Sequence, residues 1–342
     1  MGEGRSTAGS AATPWPGERS DVAVLDPDGP PGVAFIRALG SRDVDVHAFS
    51  SSSRPAGRYS SHLRSLTESP SLLDTDRAVD WLAERMSTGR VGLVAPTSDY
   101  AVFAAAAAME HAGIEPPAGV PGNDALWTCR HKGVVAERLA AIGVDTVPQR
   151  LPTSLDAAIA AADELGYPVI LKPRTHVGVG LERGGVVHDR SELEAVFREY
   201  PIEGADRSGF ARDPDLGWPL MQSFRAGPGT DVISVAGCLG PDGELWSVGG
   251  CRKLAQWPPG AGIGTLFEVC EIDEYLDLTK RVVAATLGHG IFELELLVDH
   301  DTGSRFPIDL NPRAYGQVSL EVARGNDLPA HWYRLATGVE LD

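Results

Sequence analysis

The sequence predicts an α/β fold that becomes α+β in its C-terminal half, and three observations lead to this prediction. Short apolar runs alternate with helical segments over the first third of the chain, the order typical of a parallel sheet. From Leu220 onward, extended segments follow one another closely, which indicates antiparallel pairing. Residues 293–313, ELELLVDHDTGSRFPIDLNPR, alternate apolar and polar side chains on two arms around a turn at His300–Ser304, the pattern of a β-hairpin.

The composition indicates a globular protein of two or three domains. Its 342 residues are 43% hydrophobic and 23% charged, which suits a chain that buries a core. The net charge of −17 argues against nucleic acid or an anionic membrane as the main partner, although a small anionic ligand needs only local positive charge. The four cysteines form no CxxC pair, and residues 1–20 hold no apolar signal segment. We therefore expect a cytoplasmic protein with reduced thiols and a disordered tail at residues 1–20.

The first predicted domain covers residues 21–119 and alternates strands with helices. Apolar runs predict the strands Val22–Leu25, Val44–Ala48 and Val91–Ala95. Helical spacing predicts helices at Gly32–Leu39, Ala78–Met86 and Tyr100–Ala112, the first of them ended by Gly40. Because no GxGxxG follows the first strand, the pattern favours a Rossmann-like sheet without a dinucleotide site.

The rest of the chain is predicted to mix helices with antiparallel strands. A capping box at Ser191 and Glu194 predicts where the helix Ser191–Tyr200 begins. The other predicted helices are Gly133–Ile142, Ser154–Leu165, Tyr275–Leu287 and Leu328–Thr337. The predicted strands before the hairpin are Val169–Lys172, Gly185–Val187, Leu220–Phe224, Asp231–Cys238 and Glu244–Cys251.

The hairpin predicts a cation site. If its turn pairs residues 299 and 305, Glu295 lies opposite Asp309, and Glu293 lies opposite Asn311. Like charges that face each other across a ladder destabilise it, and a bound cation removes the repulsion. Hard oxygen ligands of this kind suit Mg²⁺. The alternative is a solvated acidic face, which the Asn and the Arg at position 313 in the same phase make less favourable.

Four motifs occur in an order that matters. They are His131-Lys132 before a helix, the strand YPVILKP ending near Lys172, the segment Met221–Phe224, and DLNPR at the end of the hairpin. Only four of the 30 basic residues are lysines. Where Arg is the usual cation, a Lys favours a position that needs a compact ammonium group.

Together these motifs resemble the ATP-grasp superfamily, in particular its carboxylate–amine ligase branch with D-aspartate ligase and amino-acid ligases. The resemblance covers residues 124–342, and the preceding domain resembles the pre-ATP-grasp domain. It implies a helical linker at 120–168 that begins the ATP-grasp fold, a small lid subdomain at 169–225 and a C-terminal catalytic subdomain at 226–342.

The resemblance assigns an ATP site to residues from several segments. Lys132 and Lys172 would contact the phosphates, with Lys172 also catalytic. The alternative for Lys132 is an ordinary surface lysine, and the alternative for Met221–Phe224 is an ordinary core strand. The implied ATP-binding set is Lys132, Lys172, His176, Gly178, Gly180, Met221, Gln222, Ser223, Phe224 and Asp231.

The resemblance also implies metal, catalytic and substrate residues. Glu295, Asp309 and Asn311 match the metal triad, although Glu is usual where this chain has Asp309. Arg313 and Arg252 would hold the transferring phosphate or a carboxylate, and the alternative for Arg313 is an ion pair with a hairpin glutamate. The implied substrate residues are Asp26, Ser98, Asp99, Gly260 and Gly262.

The implied activity is that of an ADP-forming ligase. ATP with Mg²⁺, or with Mn²⁺ as the alternative metal, would activate a carboxylate as an acyl phosphate, and an amine would then form an amide. The substrates would be small molecules such as an amino acid or a natural-product precursor. Related folds often form homodimers. The alternatives are a nucleotide-binding sensor or scaffold without turnover and a purine-pathway ligase of the same fold.

Overall fold

The computed structural model describes residues 20–175, 185–203, 207–225, 227, 229–257 and 262–341, and it contains three sheets. The predicted site residues His176, Gly178, Gly180 and Gly260 lie outside the described residues, as does the predicted tail up to residue 19. Ser20 is buried, and its N–H donates to the Tyr333 hydroxyl at 2.8 Å. The α/β prediction with antiparallel strands in the C-terminal half is confirmed.

The first sheet is parallel, with strand order β3-β2-β1-β4. Its strands are β1 Val22–Val24, β2 Val46–Ser50, β3 Ser65–Glu68 and β4 Leu93–Val94, and its helices are α1 Pro30–Gly40, α2 Thr75–Ser87 and α3 Asp99–Ala112. Strand β3 was not predicted because this edge strand is largely exposed and carries no apolar run. The order reverses between β1 and β4, and crevices at such points of parallel sheets commonly hold ligands.

The second sheet is small and antiparallel, with strand order β5-β8-β6-β7. The helices α4 Asn123–Arg130 and α5 Lys132–Ala141 precede it. The sheet and its helices are β5 Gln149–Arg150, α6 Leu155–Leu165, β6 Val169–Pro173, β7 Gly185–Val187, α7 Arg190–Phe197, α8 Arg207–Arg212 and β8 Pro219–Ser223. The predicted cap of α7 is wrong: Asp189 caps the helix by accepting from the N–H of Glu192, whereas Ser191 lies inside the helix.

The third sheet is antiparallel and central, with strand order β11-β10-β9-β12-β13. Its elements are β9 Thr230–Leu239, β10 Leu245–Trp257, β11 Ile263–Val269, α9 Leu276–Thr286, β12 Gly290–Asp299 and β13 Ser304–Asn311. The helices α10 Val318–Ala323 and α11 Leu328–Thr337 follow, and Trp332 and Tyr333 pack with Val22 of β1 and Phe35 of α1. Strand β11 was not predicted from the sequence. Its side chains are mostly exposed, and register shifts interrupt its pairing with β10, so no regular apolar alternation marks it.

The hairpin β12–β13 closes through a different turn from the one predicted. Asp299 pairs with Ser304, so the predicted pairing of residues 299 and 305 is wrong. The register then shifts by one residue at Pro307 and Ile308 on β13, which is the signature of a β-bulge. Proline cannot donate a ladder hydrogen bond, and this accounts for the position of the bulge.

The bulge restores the predicted pairing of the polar residues. Glu295 lies opposite Asp309, and Glu293 lies opposite Asn311. The apolar residues of β13 do not share one face as the alternation predicted. Phe306 pairs with Leu297 on the face that carries the glutamates, whereas Leu310 pairs with Leu294 on the opposite face.

Among the helices of the described segments, none has the length and apolar character that crossing a membrane requires.

Candidate functional site

One face of the central sheet collects the polar side chains of the hairpin. Successive residues of a strand point to opposite faces, so Glu293 and Glu295 of β12 share the face that Asp309 and Asn311 occupy on β13. The opposite face of β12 carries Leu294 and its apolar neighbours in a buried core. The glutamates of the polar face therefore lie on a strand that is hydrogen-bonded to a neighbour on each side.

Each carboxylate of the predicted metal site has a lysine partner. Lys132 donates to Oδ1 of Asp309, and Lys253 donates to Oε1 of Glu295 at 2.7 Å. Both lysine side chains are only 10% exposed. Burying four charges is costly unless they are paired, so this arrangement holds two cations and two anions in register.

Lys253 was missed by sequence reasoning. It lies 42 residues from its partner Glu295, on a strand that does not pair with β12 directly. The available signal was the rarity of lysine, since Lys132, Lys172 and Lys253 account for three of the four in the chain. Alternation along β10 separates Lys253 from the adjacent Arg252, which was the residue predicted instead.

Lys172 approaches the same region from the small sheet. Its Nζ donates to Oε1 of Gln222 at 3.2 Å, and Nε2 of Gln222 donates to Oε1 of Gln149 at 3.3 Å. Burial and, after it, the nearby Lys132 ammonium lower the pKa of Lys172. A cation held with a neutral partner beside a second cation is well placed to accept an anionic ligand.

Glu293 organises the end of β13. Its Oε2 accepts from Nη1 of Arg313 at 2.5 Å and from Nδ2 of Asn311 at 3.2 Å. Because the Asn311 amide nitrogen is used in this way, its Oδ1 is the atom left for a cation. Burial raises the pKa of Glu293, and Arg313 opposes that shift. The ion pair named as the alternative for Arg313 is thus present, with Nε of Arg313 also 3.4 Å from Oδ2 of Asp99.

A cleft of about 470 Å³, including open space at its mouth, lies between the small sheet and the hairpin. Lys132, Lys172 and Asp309 mark its charged part. Its remaining wall is mostly apolar and includes Val135, Ala136, Leu139, Thr146, Gln149, Leu220, Gln222, Leu294, Ile308 and Leu310. An apolar cleft with a few convergent polar groups is the usual form of a small-molecule site.

The segment Met221–Phe224, predicted to bind ATP, contributes to the cleft through alternate residues. Leu220 and Gln222 line the cleft, whereas Met221 is fully buried in the core of the small sheet. Ser223 donates its hydroxyl to the Leu165 carbonyl at 3.4 Å, and the N–H of Phe224 donates to the Pro168 carbonyl. The core-strand alternative therefore describes Met221, and Gln222 is the residue that faces the cleft.

A second, smaller cleft of about 240 Å³ shares Lys132 and Asp309 with the first. Its wall includes Asp99 at the start of α3, Arg130 at the end of α4, and Asn311 from the hairpin. The carboxylate–lysine pair thus lies where the two clefts meet, so one ligand in each would meet at this pair.

The predicted residues Arg252 and Asp231 form a separate cluster. Arg252 donates to Asp231 at 3.3 Å and from Nε to Glu268 at 2.6 Å, and His300 lies 2.9 Å from the same Asp231 oxygen. Alternation places Arg252 on the face opposite Lys253, and its side chain is 41% exposed. The structure does not bring Arg252 or Asp231 together with Glu295.

The predicted substrate residues lie at two places. Asp26 follows β1 and is hydrogen-bonded by Ser98, the N-cap of α3, and burial raises the Asp26 pKa. The N–H of Ala314 donates to the Pro96 carbonyl at 2.8 Å, so this crevice adjoins Arg313 and its partner Asp99. Gly262 precedes β11 at the far end of the β10–β11 hairpin.

The donor set fits Mg²⁺. Within the described residues, no three His, Cys, Asp or Glu side chains converge as a complete metal cage. Two carboxylates and one amide oxygen from paired strands instead offer part of an oxygen shell, and Mg²⁺ typically completes such a shell with water and phosphate oxygens.

Comparisons with known proteins agree with this architecture. Residues 131–210 match the family described as the carbamoyl-phosphate synthase L chain, ATP binding domain. The chain is 26% identical over 224 residues to the carbamoyl phosphate synthase large chain of Thermotoga sp. (strain RQ2), which covers 64% of this chain and 19% of that protein. It therefore spans about a fifth of the length of the curated relatives it matches.

Two solved structures extend the likeness to nearly the whole chain. The biotin carboxylase domain dimer of Hydrogenobacter thermophilus 2-oxoglutarate carboxylase, in complex with MgADP, ADP and bicarbonate, superposes with a TM-score of 0.72 at 18% identity over 95% of this chain and 71% of that one. The L-amino acid ligase of Bacillus licheniformis gives a TM-score of 0.68 at 17% identity over 95% and 76%. The chain therefore has the same fold as these two structures, the ATP-grasp fold.

Proposed function

We propose that the chain is an ATP-dependent, ADP-forming ligase that joins a carboxylate to an amine. The observation that carries this proposal is a cleft with Lys132, Lys172 and Asp309 in its wall, where Asp309 lies directly opposite Glu295, the partner of Lys253, across the hairpin. The likeness to a biotin carboxylase domain holding MgADP and to an L-amino acid ligase supports a nucleotide ligand and an amino-acid substrate.

The alternating charges are complementary to a metal–nucleotide complex. A divalent cation matches the carboxylates of Glu295 and Asp309, and a triphosphate matches the ammonium groups of Lys132, Lys172 and Lys253. Such a ligand replaces each internal ion pair with a stronger contact to a multivalent ion. A ligand of one sign alone would leave half of these largely buried groups without a partner.

Glu295, Asp309 and Asn311 would hold Mg²⁺, and Mn²⁺ is the alternative because it accepts the same oxygen ligands. A metal held by these residues would supply positive charge to offset the charge that develops on the transferring phosphoryl group. The residues of the chain supply the rest. Glu293 orients Asn311 and Arg313, and Lys132 and Lys172 hold the phosphates in place.

The proposed reaction has two steps. A substrate carboxylate oxygen attacks the γ-phosphorus of ATP, and the bond from that phosphorus to the β-phosphate oxygen breaks. The products of this step are ADP and an acyl phosphate. The amine nitrogen then attacks the acyl carbon, the C–O bond to phosphate breaks, and the amine loses a proton as the amide forms. Positioning and electrostatic stabilisation are the main contributions of the protein to such phosphoryl transfer.

The acceptor substrates fit the side of the site that faces the first domain. The smaller cleft brings Asp99 beside Asn311 and Lys132, and the crevice with Asp26 and Ser98 adjoins it. Arg313 can bind a carboxylate or the acyl phosphate, while Asp99 and Asp26 can receive an ammonium group. These groups suit a small molecule that carries both charges, such as an amino acid.

An ADP-release screen over pairs of amino acids, read by product mass, tests the proposal. The expected result is ADP release that requires both a carboxylate and an amine, with a product mass equal to their sum minus water. Nucleotide binding without such release would support a sensor or scaffold instead. Release that depends on bicarbonate rather than on an amine would assign a carboxylation reaction and overturn the amide-forming proposal.

A further inference from the structure

Lys132 and Lys172, which both line the larger cleft, belong to separate segments, and a backbone hydrogen bond joins these segments. Lys132 begins α5, whereas Lys172 lies on β6. The N–H of Lys132 donates to the carbonyl of Arg174 at 2.9 Å, directly after β6 ends. One such bond fixes a point of contact and leaves the direction of α5 to be set by side chains.

His131 supplies the first of these side chains. Its Nδ1 accepts from the N–H of Val134 at 3.2 Å, which makes it the N-cap of α5. Because Nδ1 accepts, the proton of the neutral ring lies on Nε2, and Nε2 donates to Oδ2 of Asp213 at 2.8 Å. The imidazole therefore joins the start of α5 to one carboxylate oxygen.

Arg174 reaches the same carboxylate from the other segment. Its Nη1 lies 3.2 Å from Oδ2 of Asp213, and its Nη2 donates to the Leu151 carbonyl at 3.4 Å. The Arg174 side chain is buried. A buried guanidinium needs an anionic partner, so the carboxylate is held in place by charge as well as by geometry.

Asp213 is itself anchored to the segment that leads into β8. Its other oxygen, Oδ1, accepts from the N–H of Asp215 at 2.9 Å, and its own N–H donates to the Gly209 carbonyl. That segment continues to Gln222, the partner of Lys172. One carboxylate thus ties together the elements that carry Lys132, Lys172 and Gln222.

We propose that Asp213 is a positioning residue for Lys132, acting through His131 and Arg174. It fixes α5 against the end of β6 and so places the Lys132 ammonium for a triphosphate. This inference rests on the proposed function, because it takes the ligand of the cleft to be a nucleotide.

The test is a thermodynamic cycle on the affinity of the full chain for Mg²⁺·AMP-PNP, measured by titration calorimetry. Asp213→Asn is expected to raise the dissociation constant about tenfold, equivalent to about 1.4 kcal/mol. In a Lys132→Met background the same change is expected to have little further effect, because the lysine through which it acts is gone. The matched control is Asp215→Asn, because Asp215 is an exposed carboxylate only two residues away. This variant should bind Mg²⁺·AMP-PNP with the same affinity as the parent protein.

Equal losses in the parent and in the Lys132→Met background would overturn the inference, since they would show that Asp213 acts by general loosening of the fold. Failure of the parent protein to bind the nucleotide would instead overturn the proposed function. If Asp213→Asn does not fold, His131→Asn takes its place in the cycle. An Asn retains the helix cap but cannot make the bond to Asp213, so the same coupling with Lys132 is expected.

Discussion

The two faces of the central sheet carry the same kinds of charged groups in different surroundings. On one face Lys253 and Glu295 are paired with side chains 10% and 18% exposed. On the other, Arg252 and Glu268 are paired with side chains 41% and 42% exposed. Water screens the second pair, which makes it a weak contributor to stability or binding. Burial strengthens the charge interactions of Lys253 and Glu295, both with each other and with a charged ligand. The difference in exposure therefore distinguishes this pair, at the candidate site, from the Arg252–Glu268 pair.

The largest effect is expected from Glu295→Gln. Loss of a metal-binding carboxylate should lower the rate of ADP release by about a hundredfold or more, the scale seen when one preorganised electrostatic group is removed. The matched control is Glu268→Gln on the opposite face, which should leave the rate nearly unchanged because that carboxylate is exposed. Equal losses in the two variants would show that the comparison of faces is wrong.

Lys172→Met should separate binding from stability. Removing the ammonium should weaken Mg²⁺·AMP-PNP binding by about tenfold or more, the effect of one charge-assisted contact. Because burial lowers the Lys172 pKa, the charged group destabilises the folded protein at neutral pH, so its removal should raise the free energy of unfolding by about 1 kcal/mol, the usual scale of a single stabilising substitution. Calorimetry and thermal unfolding measure the two changes. The control is Lys280→Met, which should alter neither quantity because the Lys280 side chain is 45% exposed.

The affinity for Mg²⁺·AMP-PNP should also depend on pH through Lys172. Its lowered pKa means that the ammonium is lost as pH rises, at a pH below the 10.5 of an ordinary lysine, and binding should weaken over that range. Lys172→Arg should keep its charge and show a flatter profile, because guanidinium does not titrate there. Identical profiles for the two proteins would exclude Lys172 as the group that titrates.

The smallest effect is expected from Arg252→Met. The sequence-based assignment of Arg252 to catalysis predicts a large loss of ADP release, whereas its exposed pairing with Asp231 and Glu268 predicts a small change in rate and in thermal midpoint. A steady-state assay distinguishes them. A large loss of rate with unchanged stability would place Arg252 in the site and show that the face of the sheet opposite Glu295 also takes part.

Local patterns were sufficient for much of the fold. Helix α11 was predicted with its observed ends, and the pairing of Glu295 with Asp309 followed from alternation on two neighbouring arms. These features depend on residues close in sequence, so periodicity and turn chemistry report them directly. The turn itself was predicted wrongly because a bulge at Pro307 is invisible to a period-2 pattern.

The amino-acid sequence by itself therefore determined the α/β architecture, the carboxylate pair of the hairpin and the presence of lysines where arginine is common. Only the tertiary structure decided which cations meet those carboxylates: Lys132 is 177 residues from Asp309, and Lys253 is 42 residues from Glu295. It also decided that the neighbouring Arg252 points away. The physical reason is that an ion pair depends on distance and burial in space, and both are set by strand order and register rather than by position along the chain.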